Sequence, residues 1–391
     1  MLKKDKFISI ILFVYLGIFA ADIILRFPLC SWPYFRAWEY IRQYPAYGAA
    51  FIPNKTFKRK RIWGNLSNQL RENKYKDYRQ QEFSSDKYGF RNSNDIYKNK
   101  DIPVFIFGDS FMAGAALDDK DTLSCRLSQR LNLPVYNAAL GNIDDFLTGY
   151  FPVNLPKPKV IILSALETQE RSVSEKLKRK FTRKNEPEIS VFFRVFGKKF
   201  EHNKDNIERW LKNPSLKRWF IRFKKDYLED YLGDLWFKPP EIKMSVETLK
   251  NYQPMLFLKS TAQIPEIKDL ERQKNGFIEY FQALDEKCKE ENITLVALFI
   301  PNKYTVYHPL LKSRPDPEIK RREEYLLSME DEFKNKAIQV VNLLEPFKKE
   351  AARLIEEDEY IYLQDDTHWN AKGIEIAAEE ITKCLTKILK P

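Results

Sequence analysis

Five short apolar runs constrain the fold of this 391-residue chain more than any other feature. An uninterrupted apolar run of this length, bounded by turn residues, is typical of a buried strand. Helical patterns lie between several of the runs, and strands that alternate with helices predict an α/β fold with a mostly parallel sheet. The predicted strands are Val104–Phe107, Val135–Tyr136, Val160–Leu163, Leu295–Ile300 and Gln339–Asn342.

The first 26 residues predict a membrane anchor. Phe7–Leu25 contain a single charged residue, and as a helix they would reach about 29 Å, close to the ~30 Å of bilayer hydrocarbon. Lysines precede this stretch, so the positive-inside rule places the N-terminus in the cytoplasm and the rest of the chain outside. A cleaved signal peptide is the alternative. It lacks the usual A-x-A site, because Phe19 stands two places before Ala21.

A basic block interrupts the α/β pattern. Its most basic part, residues 171–240, has 19 Lys and Arg against 10 Asp and Glu, a net charge of +9 out of +11 for the whole chain. We interpret residues 171–260 as a basic helical insertion, which forms either a solvated face or a groove for an anionic glycan or lipid headgroups. No nucleic-acid module accompanies the charge, so we do not expect nucleic acid as a partner.

Two motifs carry the candidate chemistry. Gly108-Asp109-Ser110 directly follows a predicted strand, at the edge where open α/β sheets bind ligands. A helix directly after Ser110 would present N–H groups that can stabilise an oxyanion. Near the C-terminus, Asp365, Asp366 and His368 precede the last predicted helix. A serine hydroxyl needs an adjacent base, and the base needs a carboxylate that fixes its tautomer, so the two motifs predict a nucleophile and its base.

These motifs resemble the SGNH (GDSL-like) hydrolases, over about residues 80–170 and 290–391. The His-Trp pair in Asp366-Thr367-His368-Trp369-Asn370 is more specifically similar to the alginate O-acetyltransferase branch. Three further stretches agree with that branch, namely 86–92, 169–171 and 301–307. The resemblance implies a three-layer SGNH-like α/β fold, without a cofactor. With only three histidines in the chain, we do not expect a metal site.

The resemblance also assigns roles. Ser110 is the expected nucleophile and its own N–H the first oxyanion donor, while Gly141, in a stretch that resembles the family's second block, is the expected second donor. His368 is the expected base. Its carboxylate is either Asp365, as in ordinary members, or Asp366, as in the acetyltransferase branch.

Other positions are candidate substrate contacts. The third family block departs from Gly-x-Asn-Asp, so its asparagine donor is missing, and Gln169 or Arg171 is the candidate substitute. Arg171 is equally compatible with a salt bridge to Glu170. Trp369 could stack on a sugar or pack the loop. The remaining candidates are Asp109 and Asn142.

We therefore expect a cytoplasmic tip and anchor (1–26), a juxtamembrane extracytoplasmic segment (27–100) and an SGNH-like catalytic domain (101–391). The expected function is O-acyl transfer, with acetyl as the expected acyl group, to a cell-surface or secreted polysaccharide. The expected partners are the bilayer and a membrane-bound O-acyltransferase that donates the acyl group. The alternatives are a membrane-tethered carbohydrate esterase and a catalytically degenerate domain that binds glycan or scaffolds an envelope assembly.

Overall fold

The five apolar runs form one sheet. The computed structural model describes residues 9–10, 12–21, 35–42, 50–70, 73–149, 151, 153, 155–167, 244–262, 267–313 and 320–389. The strands are β1 (Thr56–Ile62), β2 (Arg79–Ser84), β3 (Val104–Phe107), β4 (Val135–Asn137), β5 (Val160–Leu166), β6 (Met244–Thr248), β7 (Pro254–Leu258), β8 (Thr294–Ile300) and β9 (Gln339–Asn342).

Besides the helical residues 9–10 and 12–21, nine helices lie in the described part of the chain, one before β1, six between strands and two after β9. They are α1 (Ala37–Ile41), α2 (Leu123–Leu131), α3 (Ile143–Leu147), α4 (Lys259–Ala262), α5 (Ile267–Glu290), α6 (Lys303–Tyr307), α7 (Lys320–Asn335), α8 (Leu344–Leu354) and α9 (Ala371–Ile388). Short 3-10 turns occupy Asn73–Tyr75, Asn94–Lys98, Asp119–Asp121, His308–Leu310 and Ile355–Glu357.

The central sheet has the order β4-β3-β5-β8-β9, and all four pairings are parallel. β3 is buried along its whole length and β5 and β8 at all but one residue, as expected for strands covered on both faces. Helices α2 and α9 pack together, and α5 packs against α3 and α7. The prediction of an α/β fold with a mostly parallel sheet is therefore confirmed.

Residues 27–100, expected to be a juxtamembrane segment, fold in part onto the sheet domain. β1 and β2 form an antiparallel pair. The side chain of Gln81 in β2 donates to the carbonyls of Ala115 and Leu117, at 3.2 and 3.0 Å. It also accepts a 3.0 Å hydrogen bond from the N–H of Ala37. One buried amide thus joins α1, β2 and the stretch that follows Ser110.

The expectation that the insertion is helical is wrong at its C-terminal end. β6 and β7 form an antiparallel hairpin, because polar residues alternate with apolar ones in β6 and Asn251-Tyr252 supplies the turn. The rest of the insertion lies outside the described residues. Of the predicted anchor, residues 9–10 and 12–21 are described and are helical. Within the described parts of the chain, no helix is both long and apolar enough to span a bilayer.

Candidate active site

Ser110 lies in a tight turn at the carboxyl end of β3. The turn requires glycine at position 108, where φ is +144° and an added Cβ would lie only 2.1 Å from Ser164 Oγ. Oδ1 of Asp109 accepts the N–H of Phe111 at 2.8 Å, and its Oδ2 lies 3.5 Å from Ser164 Oγ. The carboxylate of Asp109, a candidate substrate contact, therefore shapes the turn.

Consecutive turns, and not a helix, follow Ser110. Residues 110–116 are in turns, and the next α-helix, α2, begins only at Leu123. A helix N-terminus therefore does not face Ser110, in contrast to what the strand-to-helix interpretation expects. Arg91 secures the turn from outside, because its guanidinium is buried and donates to the carbonyls of Ala113, Gly114 and Leu117.

The two motifs meet at this edge of the sheet. Nε2 of His368 lies 2.8 Å from Ser110 Oγ, and Nδ1 lies 2.6 Å from Oδ1 of Asp366. A carboxylate can only accept, so Nδ1 carries the ring proton and Nε2 accepts from the Ser110 hydroxyl. His368 is 5% exposed and Asp366 is fully buried. This is the arrangement in which a histidine can take a proton from a serine.

The neighbouring carboxylates have different partners. Asp366 faces the imidazole, whereas Asp365 points away from it. Oδ2 of Asp365 accepts from the N–H of Gly64 at 2.6 Å and the hydroxyl of Ser67 at 2.9 Å. Its Oδ1 accepts from Arg79 at 2.9 Å. Asp365 therefore joins the base loop, residues 364–370, to Gly64, Ser67 and Arg79. Between the two sequence candidates, the geometry selects Asp366 as the partner of His368.

Residues 36 and 65 complete the surroundings of Asp366. Arg36 Nη1 donates to its Oδ2 at 2.8 Å, and the N–H of Asn65 donates to the same oxygen at 2.7 Å. The Asn65 side chain also exchanges two hydrogen bonds with Thr367. Burial alone raises the pKa of Asp366, but the charge of Arg36, followed by His368, outweighs burial and brings this pKa well below its usual range.

Sequence reasoning missed these partners, because no local motif identifies them. They lie about 300 residues before the base loop, so only the folded chain brings them together. The one local signal is Gly64: an added Cβ there would lie 2.0 Å from the carbonyl oxygen of Asp365. Glycine therefore permits the close approach of the two segments.

Lys303 supports the base loop from within the protein. Its ammonium group is buried and donates to the carbonyls of Leu256, Leu363, Gln364 and Asp366, at 2.6 to 3.1 Å. It therefore joins β7 to the residues before His368. Burial lowers the pKa of Lys303 to about 7, while the nearby carboxylates act in the opposite direction.

The expected second oxyanion donor is engaged elsewhere. The N–H of Gly141 donates to the carbonyl of Ala138 at 2.9 Å, and the side chain of Asn142 caps α3 by accepting from Asp144 and Asp145. Among the described residues, the N–H of Ser110 meets no acceptor, so it is the donor that remains for an oxyanion.

The third family block has a different role here. Glu167, which follows β5, is buried and accepts from the N–H of Asn302, the hydroxyl of Thr305 and the guanidinium of Arg322. A structural carboxylate thus follows the strand that carries an asparagine donor in typical SGNH hydrolases. The candidates Gln169 and Arg171 lie outside the described residues.

Trp369 packs the base loop. It is fully buried, with its ring 5.5 Å from that of Phe111 and 6.1 Å from that of Phe347. A buried ring cannot stack on a sugar, so the stacking interpretation is wrong and the packing interpretation holds. Phe111, half-buried, covers His368 at a ring distance of 4.7 Å. In the described part of the chain, no cluster of three His, Cys, Asp or Glu is arranged to hold a metal ion.

Residues 256–390 match a family model described as the SGNH hydrolase-like domain of the acetyltransferase AlgX. The chain resembles SGNH hydrolase-like acetyltransferases. The resemblance inferred from the sequence is thus confirmed, and it supports a role in acyl transfer or ester hydrolysis. The matched region begins within β7 and extends past the end of α9, so it includes the base loop, and Ser110 lies outside it.

Two solved structures share a low similarity with this chain. A lipolytic protein of the G-D-S-L family from Desulfitobacterium hafniense DCB-2 shares 14% identity and a TM-score of 0.32, over 72% of this chain and 99% of that one. The salicylyl-acyltransferase SsfX3 of a tetracycline biosynthetic pathway shares 10% identity and a TM-score of 0.32, over 74% of this chain and 56% of that one. No curated protein matches the sequence.

Proposed function

We propose that the protein is a membrane-anchored, extracytoplasmic O-acyltransferase that uses Ser110, His368 and Asp366 as a triad to acylate a polysaccharide. The observation that carries the proposal is the continuous hydrogen-bonded chain from Ser110 Oγ through the imidazole to Asp366, at 2.8 and 2.6 Å. The match of the base-loop region to the AlgX acetyltransferase domain supports acetyl as the transferred group.

The first half-reaction forms an acyl-serine. Ser110 Oγ attacks the carbonyl carbon of the donor ester while Nε2 of His368 takes the hydroxyl proton. Asp366 stabilises the imidazolium, and the N–H of Ser110 stabilises the oxyanion. The bond from the carbonyl carbon to the donor oxygen then breaks, and His368 returns the proton to that leaving oxygen.

The second half-reaction releases the acyl group to a sugar. A sugar hydroxyl gives its proton to His368 and attacks the acyl-serine, and Ser110 Oγ leaves as it regains that proton. Water is present at ~55 M, so transfer needs an acceptor positioned well enough to compete, and positioning can supply effective molarities of 10⁵ M or more.

The apolar N-terminal stretch and the lysines before it support a single-pass anchor with the catalytic domain outside the cytoplasm. An anchored enzyme would take acyl groups from a donor in the same bilayer. A membrane-bound O-acyltransferase is the partner that fits this chemistry, since it would carry acyl groups to the outer face.

Ester hydrolysis is the second candidate function. Ser110 is only half-buried among the described residues, which favours access of water to the acyl-serine. A tethered carbohydrate esterase would use the same triad and differ only in the final acceptor. A degenerate binding domain has less support, because a domain without catalysis has no need for the aligned serine, histidine and carboxylate.

The test uses full-length protein in detergent, a fluorophosphonate probe, a chromogenic acetyl ester and a panel of oligosaccharides. We expect labelling of Ser110, slow ester hydrolysis alone, and acetylated sugar by mass spectrometry when the right acceptor is present. Ser110→Ala should abolish labelling and turnover, whereas Ser84→Ala, at a half-buried serine in β2, should change neither. Fast hydrolysis, no acetylated acceptor and loss of acetyl groups from native glycan would establish the esterase instead.

A further inference from the structure

Among the described residues, Arg36 is the arginine or lysine whose side chain lies nearest to the carboxylate of Asp366. The residue immediately precedes α1 and is 4% exposed. Its Nη1 lies 2.8 Å from Oδ2 of Asp366, and its Nε and Nη2 each lie 2.9 Å from Oε1 of Glu39. The planar guanidinium therefore joins two carboxylates, one on its own helix and one on the base loop.

This contact determines which carboxylate oxygen of Asp366 faces the imidazole of His368. Arg36 and the N–H of Asn65 both donate to Oδ2, so Oδ1 is the oxygen left to face the imidazole, at 2.6 Å from Nδ1. Because Glu39 holds the planar guanidinium through Nε and Nη2, Arg36 presents one donor, Nη1, to Oδ2 of Asp366 in a fixed position. Rotation of Asp366 would break both contacts of Oδ2.

Arg79 does not duplicate this function. It bonds to Oδ1 of Asp365 at 2.9 Å, while its closest approach to Asp366 is 4.0 Å. The pair of Arg36 with Asp366 is also better shielded from solvent: the Arg79 side chain is 17% exposed, against 5% for Arg36. The two arginines thus have different roles. Arg79 holds the base loop in place through Asp365, and Arg36 contacts Asp366, the partner of His368.

We propose that Arg36 is a positioning residue of the triad, and that Arg36 and Asn65 are a required part of the active site, although both precede the sheet domain in the sequence. The inference rests on the proposed function, because it takes Asp366 as the partner of a catalytic His368. Arg36 acts through Asp366 and contacts neither Ser110 nor the imidazole. The active site is then completed only when Arg36, Gly64 and Asn65 contact the base loop.

Loss of the Arg36 charge should change the pH dependence of activity, an effect that the loss of a purely structural arginine would not produce. Without its cation, a buried carboxylate is protonated more readily, so its pKa rises. A protonated Asp366 cannot accept the Nδ1 proton or stabilise an imidazolium. Activity should therefore fall at a higher pH than in the wild type, on the acidic side of the profile.

The test compares Arg36→Gln with Arg322→Gln in the full-length protein. Arg322 is a matched control, because it is 3% exposed on its side chain and pairs at 3.0 Å with Glu167, a buried carboxylate that is not a member of the triad. The measurements are kcat and kcat/KM for a chromogenic acetyl ester from about pH 4 to 9, together with the melting temperature.

We expect Arg36→Gln to lower kcat roughly 10- to 100-fold, the effect usual for partners that orient a functional residue, and to move the acidic limb to higher pH. Arg322→Gln should lower the melting temperature and leave the limb where it is. Methylguanidinium should restore part of the activity of Arg36→Ala. An unchanged limb in Arg36→Gln, with a kcat no lower than that of the control, would overturn the proposal.

Arg36→Lys keeps the test decisive if the glutamine variant does not fold. Lysine retains the charge but not the fork, so we expect kcat to fall about tenfold with the acidic limb close to that of the wild type. Wild-type kcat in Arg36→Lys would contradict the proposal. If the wild type itself neither reacts with the fluorophosphonate nor turns over the ester, the proposed function fails. If the wild type is active and the Arg36 variants match it, only the role of Arg36 fails.

Discussion

The nucleophile turn, residues 108–117, and the base loop, residues 364–370, lie at one edge of the same sheet but are held differently. Within the turn, local hydrogen bonds define the backbone, and the cation that reaches it, Arg91, meets backbone carbonyls. Within the loop, partners about 300 residues away reach two buried carboxylates. The turn is therefore largely a local structure, whereas the loop depends on the rest of the chain.

Because of this difference, substitutions in the turn and in the loop should have different effects on stability. A buried carboxylate that loses its cation costs much more than an exposed one, because the remaining charge stays out of water. The stability of the loop therefore depends on the ion pairs of two buried carboxylates, Asp365 and Asp366. The two adjacent aspartates of the loop allow catalysis and stability to be separated by neighbouring substitutions.

The largest effect should come from comparing Asp366→Asn with Asp365→Asn. Asparagine at 366 can no longer hold the Nδ1 proton in place, so we expect kcat to fall by roughly 10³- to 10⁴-fold. Asparagine at 365 leaves the imidazole partner intact but has one acceptor oxygen instead of two. It therefore loses either the contacts with Gly64 and Ser67 or the contact with Arg79, and it loses the charge that pairs with Arg79. We expect it to lower the free energy of unfolding by about 3–5 kcal/mol, with kcat much closer to that of the wild type.

Ester turnover and urea unfolding of both variants check this pair. If the two substitutions instead exchanged their effects, with Asp365→Asn the more damaging to kcat, the assignment of the triad carboxylate to Asp366 would be incorrect.

A smaller effect should appear in the pH dependence of stability. Lys303 has a pKa of about 7 in the folded protein and should return to ~10.4 on unfolding. Between these values the unfolded chain binds more protons, so this residue makes the free energy of unfolding rise with pH, by up to ~1.4 kcal/mol per unit. Lys303→Met should remove this slope.

Urea unfolding at several pH values between about 7 and 9 measures the slope of the free energy of unfolding with pH. Lys157→Met is the control, because Lys157 is half-exposed and pairs with Glu291 on the surface. An identical slope in the wild type and Lys303→Met would show that the four carbonyls keep Lys303 charged throughout this range.

The smallest effect should follow from Trp369→Phe. The indole N–H of Trp369 is buried without an acceptor among the described residues, so no hydrogen bond is lost when the indole is replaced. We expect a loss of stability of about 1 kcal/mol or less for this size change and an unchanged KM for acceptor sugars. A clear rise in KM for sugars alone would return Trp369 to substrate binding.

The sequence predicted the sheet well, because its three inner strands, β3, β5 and β8, are almost entirely apolar runs, and such runs indicate buried strands. Ser110 and His368 were also predictable, since each stands in a short motif. Arg36, Gly64 and Asn65 were not, because their roles arise from contacts over about 300 residues. Gly141 was assigned by resemblance, yet the local turn uses its N–H for Ala138.

The position of Arg36 in the chain has one more consequence. Nine residues, 27–35, separate it from the end of the predicted anchor, and an extended chain spans at most ~3.6 Å per residue, about 32 Å in all. If the anchor is retained, the contact of Arg36 with Asp366 keeps the base loop within about that distance of the end of the anchor. Under the proposed function, Ser110 would then act close to the lipid surface, and a glycan would be modified there but not after it had moved further from the membrane.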